Sequence, residues 1–300
     1  MLLGYLIMCL IFGTTFVSIK VGLLSGFPPL LFAGLRFTSA GLLTWLLARE
    51  RGIALPTARR DLLQIAAVGL TSTTIPFAAL FWSQQYITAG LASVLTASLP
   101  VMTLLNRSRA TAIAPLHLIG VALGTLGVGL VLSPSLQLAG GITLLASAAI
   151  LSAEFFNARG NLRAQRVMRS GIHPLAFNTF QMLFGGLGLL LSSLLLERGR
   201  PLQITPAAWW ALAYLSIVGS VIARGLYYWL IDRTGPLFPA TWTYLSPVIT
   251  TFVGAWLLAE PLTPTLLLGV LLVVGGVATT NLSTLRSIIQ TWGRPRSTSS

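Results

Sequence analysis

Long apolar runs alternate with short polar joints along the whole chain. A membrane-crossing helix needs about 20 apolar residues. Ten runs approach that length, at about 2–23, 28–48, 62–85, 88–105, 116–133, 140–158, 174–196, 208–231, 236–258 and 265–285. In lipid a run of this kind satisfies its own backbone only as a helix. The pattern therefore predicts an all-α polytopic membrane protein with ten transmembrane helices. One joint stands apart. The fourth run breaks early into Asn106, Arg107, Ser108 and Arg109.

Composition agrees with the pattern. The 300 residues are 55% hydrophobic and only 8% charged, with a mean hydropathy of +0.84. Soluble domains carry about a quarter charged residues, enough to cover a core. A net charge of +13 raises the question of nucleic acid. The basic residues, however, sit in short clusters between apolar runs, as membrane-flanking charges do. No soluble face is left to present to nucleic acid, so none is expected as a partner. Cys9 is the only cysteine, and His117 and His173 are the only histidines. Neither an intrachain disulfide nor a cysteine metal site can form, and no cofactor or metal is expected. The N-terminal run lacks a basic leader and continues through Lys20 to Leu24, which reads as a first span rather than a signal peptide.

Arginine and lysine placement orients the spans. With the N-terminus in the cytoplasm, fourteen of the 19 basic residues fall on the inside, from Arg49 to Arg296. Three (Lys20, Arg198 and Arg200) fall at the outside, and two (Arg36 and Arg224) lie within spans. Both termini are therefore expected to be cytoplasmic. Arginine-rich, lysine-poor usage and short tails point to a bacterial inner membrane.

The chain repeats itself. Pro29 is followed seven residues later by Arg36 and twelve later by Gly41; Pro174 is followed at the same distances by Gln181 and Gly186. Trp82 and Pro100 match Trp229 and Pro247, each 147 residues on. Gly120 and Gly127 match Gly269 and Gly276. Each half holds five runs, an odd number, so the second half enters the membrane from the opposite side. Such inverted repeats are common in transporters and place a substrate site near the midplane between halves. The expected units are residues 1–135, residues 136–285, and a cytoplasmic tail at 286–300. Gly120 with Gly124, Gly275 with Gly276, and the Gly185, Gly186 and Gly188 cluster suit close helix packing.

Several stretches resemble one family. "IFGTTFVSIKVG" at 11–22, "PPLLFAGLRFTSAGLL" at 28–43, the paired "SLPV" and "LSPV", and the ending "AEPLTPTLLLGVLLVVGGV" at 259–277 are similar to EamA-type members of the drug/metabolite transporter superfamily. The resemblance spans nearly the whole chain. It implies two EamA repeats, ten helices and transport of small metabolites, commonly outward. It does not name a substrate. The family's Glu-x-Leu-Thr turn survives as "EPLT" at 260–263 but has no counterpart after Pro100.

Charged residues inside spans are expensive, roughly 2.5–3.5 kcal/mol at a helix centre, and so mark candidate sites. Arg36 lies deep in the second span, with Gln181 as its repeat partner; the resemblance supports it too. Arg224 has Phe77 as its counterpart and either faces a cavity or snorkels to the cytoplasmic side. Glu154 is the only acid within an apolar run, with Asn157 and Arg159 following. It reads either as a proton or cation site or as an interfacial carboxylate paired with arginine. Lys20 could snorkel outward; the family pattern adds a gate or cavity role. Thr15, Thr73, Trp82, Ser98, Tyr228 and Tyr244 complete the polar and aromatic candidates. Pro100 and Pro247 are expected to kink matching helices.

The leading expectation is a secondary transporter of small organic metabolites, amino-acid or drug-like, working by alternating access and exporting its substrate. No G-x-x-x-x-G-K-[ST] motif occurs that would hydrolyse ATP. A channel or scramblase remains an alternative, as does a family member impaired by its short fourth helix. An enzyme would need paired carboxylates, a histidine-rich metal site or a nucleophile with a base, and the chain offers none. The expected partners are a small-molecule substrate and the bilayer, and the absence of a coiled-coil pattern leaves a monomer as the expectation.

Overall fold

A computed structural model describes residues 1–106, 119–120, 122–124, 126–127, 130, 141–199 and 205–280. Nearly all of these are helical, and no strand occurs among them. Six helices are long and apolar enough to cross a membrane: α1 (Leu2–Leu24), α2 (Pro29–Glu50), α3 (Arg59–Ser83), α6 (Gly141–Met168), α7 (Pro174–Leu196) and α8 (Pro206–Thr234). Shorter helices lie between and after them: α4 (Ala89–Thr96), α5 (Leu99–Leu105), α9 (Leu237–Ala240), α10 (Trp242–Leu258) and α11 (Pro264–Thr280). The expected run 116–133 falls largely outside the described residues, though those described between 119 and 130 are helical.

Local chemistry sets the helix ends. Pro29, Pro174 and Pro206 each occupy a first-turn position, where the missing N–H costs nothing. Glu197, just past α7, accepts from the backbone N–H groups of Leu30 (2.8 Å) and Leu31 (2.9 Å) at the start of α2. A carboxylate suits that site because the first N–H groups of a helix lack partners and carry partial positive charge. Gly235, at φ 81, closes α8 and needs no Cβ in a left-handed conformation.

A break between α4 and α5 at Ala97–Ser98 falls just before Pro100, whereas the break between α9 and α10, at Thr241, lies six residues before Pro247. Pro247 sits inside a continuing helix. Proline removes its own N–H and opposes the carbonyl four residues earlier, so its disturbance falls N-terminal to the ring. After Pro100 the described helix ends at Leu105; after Pro247 it continues to Leu258. Asn106 closes the shorter one by donating from its side chain to the Met102 carbonyl at 2.8 Å.

Close packing explains the matched glycines. A Cβ on Gly127 would lie 2.9 Å from the Gly269 carbonyl oxygen; one on Gly276 would lie 2.6 Å from the Gly120 carbonyl oxygen. These are the same contact read from each half, since Gly120 matches Gly269 and Gly127 matches Gly276. The α2–α7 pair does likewise. A Cβ on Gly41 would lie 2.8 Å from the Leu183 side chain, and one on Gly186 would lie 2.5 Å from Thr38 Oγ1.

Outer faces are apolar. Trp256 is 82% exposed, Leu196 75% and Trp210 74%. Exposed apolar surface on this scale belongs against lipid.

Candidate transport cavity

Two stretches wind more loosely than an α-helix. Leu70–Thr74 in α3 and Leu215–Arg224 in α8 are π-helical, and they overlap when the chain is shifted by the repeat distance of 147 residues. A π stretch leaves backbone carbonyls poorly satisfied and recurs at functional sites. Here each serves the other half. Arg224, the last residue of its stretch, donates from Nη2 to the Ser72 carbonyl (2.9 Å) and to Thr73 Oγ1 (2.7 Å). Gln181 on α7 donates to Ser72 Oγ at 3.2 Å and to Thr73 Oγ1. The Tyr228 hydroxyl lies 3.3 Å from Ser72 Oγ. Ser72, Thr73, Gln181 and Tyr228 are all fully buried, so this network holds α3, α7 and α8 together in the interior.

Arg36 joins from α2. Its Nε donates to Ser220 Oγ at 3.0 Å, while Ser39 one turn on donates to Ser216 at 2.9 Å. Arg36 is 2% exposed and Arg224 7%. Burying a guanidinium costs several kcal/mol unless its N–H groups find acceptors. Arg36 Nη1 and Arg224 Nε are buried without one.

Both arginines line one cavity. Phe12, Phe16, Phe77, Leu80 and Trp242 supply apolar wall. On the α6 side stand Glu154, Asn157 and Asn161, spaced so that one helix face presents all three. Glu154 is 5% exposed and accepts from Asn157 Nδ2 at 2.9 Å. Arg159 stacks on Phe155 at 5.2 Å rather than pairing with this carboxylate. The cavity thus holds two cations from α2 and α8, one acid from α6, and aromatic surface between them.

Of the residues singled out by sequence, Thr15, Arg36, Glu154, Asn157 and Arg224 line the cavity. Thr73, Gln181 and Tyr228 stand behind it in the Arg224 network. Three others lie elsewhere. Lys20 donates to the carbonyls of Gln84 (2.6 Å) and Ile87 (2.9 Å) in the turn after α3. Trp82 packs edge-on against Tyr86. Ser98 sits in the break between α4 and α5, its hydroxyl buried without a partner. The Tyr244 side chain lies outside those described. Sequence reading passed over Ser220 and Asn161, although Ser220 precedes Arg224 by one turn and Asn161 follows Asn157 by one. It also passed over Phe37, which lies against both guanidiniums.

Apolar outer faces around a charged interior cavity define a polytopic helical membrane protein. The chain belongs to the EamA-like transporter family, whose model matches residues 1–133 and 139–282; it is a membrane transporter. It is similar to the "Uncharacterized inner membrane transporter YedA" of Escherichia coli (strain K12), at 29% identity over 84% of this chain and 81% of that one. A "Probable amino-acid metabolite efflux pump" of Salmonella typhimurium is 30% identical over 91% of each chain. A solved crystal structure shares the fold with a TM-score of 0.70 at 18% identity, over 95% of this chain and 98% of the other.

Proposed function

We propose that the protein exports small zwitterionic solutes of amino-acid type across a bacterial inner membrane, by alternating access of two inverted five-helix halves. The observation that carries this reading is the charge arrangement of the cavity. Arg36 and Arg224, one from each half, line it while each keeps a buried N–H without an acceptor. A substrate carboxylate supplies the missing acceptors, and guanidinium suits it geometrically. Glu154 and Asn157 line the same space and take the ammonium group. The apolar wall of Phe12, Phe16, Leu80 and Trp242 receives the side chain. The name of the Salmonella relative supports both the solute class and the direction.

The reciprocal contacts of Gly127 with Gly269 and Gly276 with Gly120 support the inverted repeat, with units at 1–135 and 136–285. In this reading α4–α5 and α9–α10 are single broken spans, and 116–133 completes ten. Arginine placement supports cytoplasmic termini. Driving force comes from a solute or proton gradient.

Counterflow in proteoliposomes tests the proposal. Vesicles loaded with an unlabelled amino acid should accumulate the labelled one, saturably. Ion conductance or lipid scrambling without saturable counterflow would replace the carrier reading with that of a channel or scramblase.

A further inference from the structure

A second concavity opens between α3, α5 and α6, away from the transport cavity. Among the described residues α5 ends at Leu105 while α6 runs on to Met168, and the cleft lies along α6 beyond that end. That face carries Arg159, Arg163 and Arg166. Their spacing of four and three residues puts the three on one side of the helix, within about 10 Å along its axis. Thr71 and Asn106 close the cleft from α3 and α5, and no acidic side chain lines it.

Three like charges on one helix face repel, and an ordinary solvated face interleaves carboxylates to prevent this. Among the described residues that line the cleft, no carboxylate offsets them. Arg159 stacks on the Phe155 ring, which fixes its position without neutralising it. Arg163 and Arg166 have no hydrogen bond or ion pair among the described residues. The described walls of the cleft thus gather three cations with no counter-charge among them. Its surroundings narrow the choice. Phe156, 40% exposed, and the half-buried Leu162 stand among the arginines. Upstream on the same helix, Leu144 and Leu145 are exposed apolar surface of the kind that meets lipid. The arginines thus lie where a membrane-crossing helix leaves its apolar zone. A soluble phosphate gains nothing from the adjoining phenyl and leucyl groups; a phospholipid brings a phosphate and a hydrocarbon body together.

We propose that this cleft binds the phosphate headgroup of an anionic phospholipid, held by Arg159, Arg163 and Arg166 against Phe156. The lipid bridges α3, α5 and α6 at the cytoplasmic end of the cleft.

Binding is read directly, without transport, so its failure is distinct from failure of the carrier reading. Purified full-length protein in neutral detergent is titrated with phosphatidylglycerol or phosphatidylcholine. Native mass spectrometry counts bound lipid, and thermal unfolding follows stabilisation. Phosphatidylglycerol should bind at least tenfold more tightly than phosphatidylcholine. The triple variant Arg159→Gln, Arg163→Gln, Arg166→Gln should bring that ratio close to one. Arg169→Gln, exposed on the same helix but outside the cleft, should leave it unchanged. Should the triple variant not fold, Arg163→Gln alone should lower the ratio about threefold or more. An unchanged ratio in the arginine variants overturns the proposal, as does an equal loss in Arg169→Gln. Inorganic phosphate that matches the stabilisation by phosphatidylglycerol, and displaces it at millimolar concentration, overturns the assignment to lipid.

Discussion

Arg36 and Arg224 share the same two aromatic rings. The Arg36 guanidinium lies 4.8 Å from the Phe37 ring centre and 5.3 Å from that of Phe77; Arg224 lies 5.2 Å from each. Two buried cations this close would repel. The electron-rich ring faces between them offset part of that repulsion, each desolvated contact being worth about 2 kcal/mol. The arrangement keeps two positive charges together with few acceptors, which is what an anion-binding site needs before its ligand arrives.

Replacing Phe77 by leucine keeps the apolar volume and removes a ring face from both guanidiniums. Phe77→Leu should lower the unfolding temperature in detergent. It should also raise the KM for an amino acid about tenfold, which corresponds to roughly 1.4 kcal/mol. Arg224→Lys should do more damage than its retained charge suggests. An ammonium placed where Nη2 serves the Ser72 carbonyl and Thr73 Oγ1 has no second nitrogen, as the guanidinium has, to turn toward the cavity. Saturation counterflow at matched protein levels measures both effects, and a wild-type KM in Phe77→Leu would contradict this account of the ring pair.

Glu154 separates two roles that a single activity measurement would confuse. As the contact for an ammonium group, Glu154→Gln should weaken transport of an amino acid about tenfold or more. It should leave a carboxylate lacking the amine, such as the matching 2-hydroxy acid, unaffected. As a proton carrier, the same variant should flatten the pH profile for both solutes. Parallel flux of the two compounds across pH decides between them, and the cavity geometry predicts the first outcome.

What the sequence made legible follows from which physical signals are strong. Apolar length locates helices well: the run read as 174–196 is α7 itself, Pro174–Leu196. Hydropathy falls at 158, where the run 140–158 ends. Yet Arg159–Met168 stays helical, since arginine, leucine, glutamine and alanine are good helix formers whether or not lipid surrounds them. Arg36, Arg224 and Glu154 stood out because charge in a span is costly. Phe37 and Phe77 could not stand out, being ordinary in apolar runs; only the fold brings them to the guanidiniums. Asn161 was hidden by being counted with the loop.

Adjacent glycines in α11 offer a clean test of the helix contact behind the repeat. A Cβ on Gly276 would meet the Gly124 backbone nitrogen at 2.5 Å, whereas one on Gly275 meets nothing within 4 Å. Gly276→Ala should therefore destabilise the protein by about 1–3 kcal/mol through overpacking. Gly275→Ala should be neutral or stabilising by up to about 1 kcal/mol, from helix propensity. Thermal unfolding of the two variants side by side checks this, and equal behaviour would remove the close approach.

Lys20 and Glu260 grip one short turn from opposite ends. Lys20 donates to the carbonyls of Gln84 and Ile87, and Glu260 accepts from the N–H groups of Ala89 (2.8 Å) and Gly90 (3.3 Å). The cation thus meets carbonyls at the end of α3 and the carboxylate meets N–H groups at the start of α4, each matching the local dipole. Glu260 reaches that position from Ala259, the one non-glycine residue with positive φ (51°) among those described. Such a conformation costs roughly 1–2 kcal/mol and persists because the cap holds it. Glu260→Gln should weaken the cap by about 1 kcal/mol, within the range for helix N-caps, and speed hydrogen exchange across residues 84–91. Lys20→Met should speed exchange over the same residues. Since both side chains hold one turn, the double variant should show less than the sum of the two. Additive exchange rates would mean that the two ends of the turn open independently.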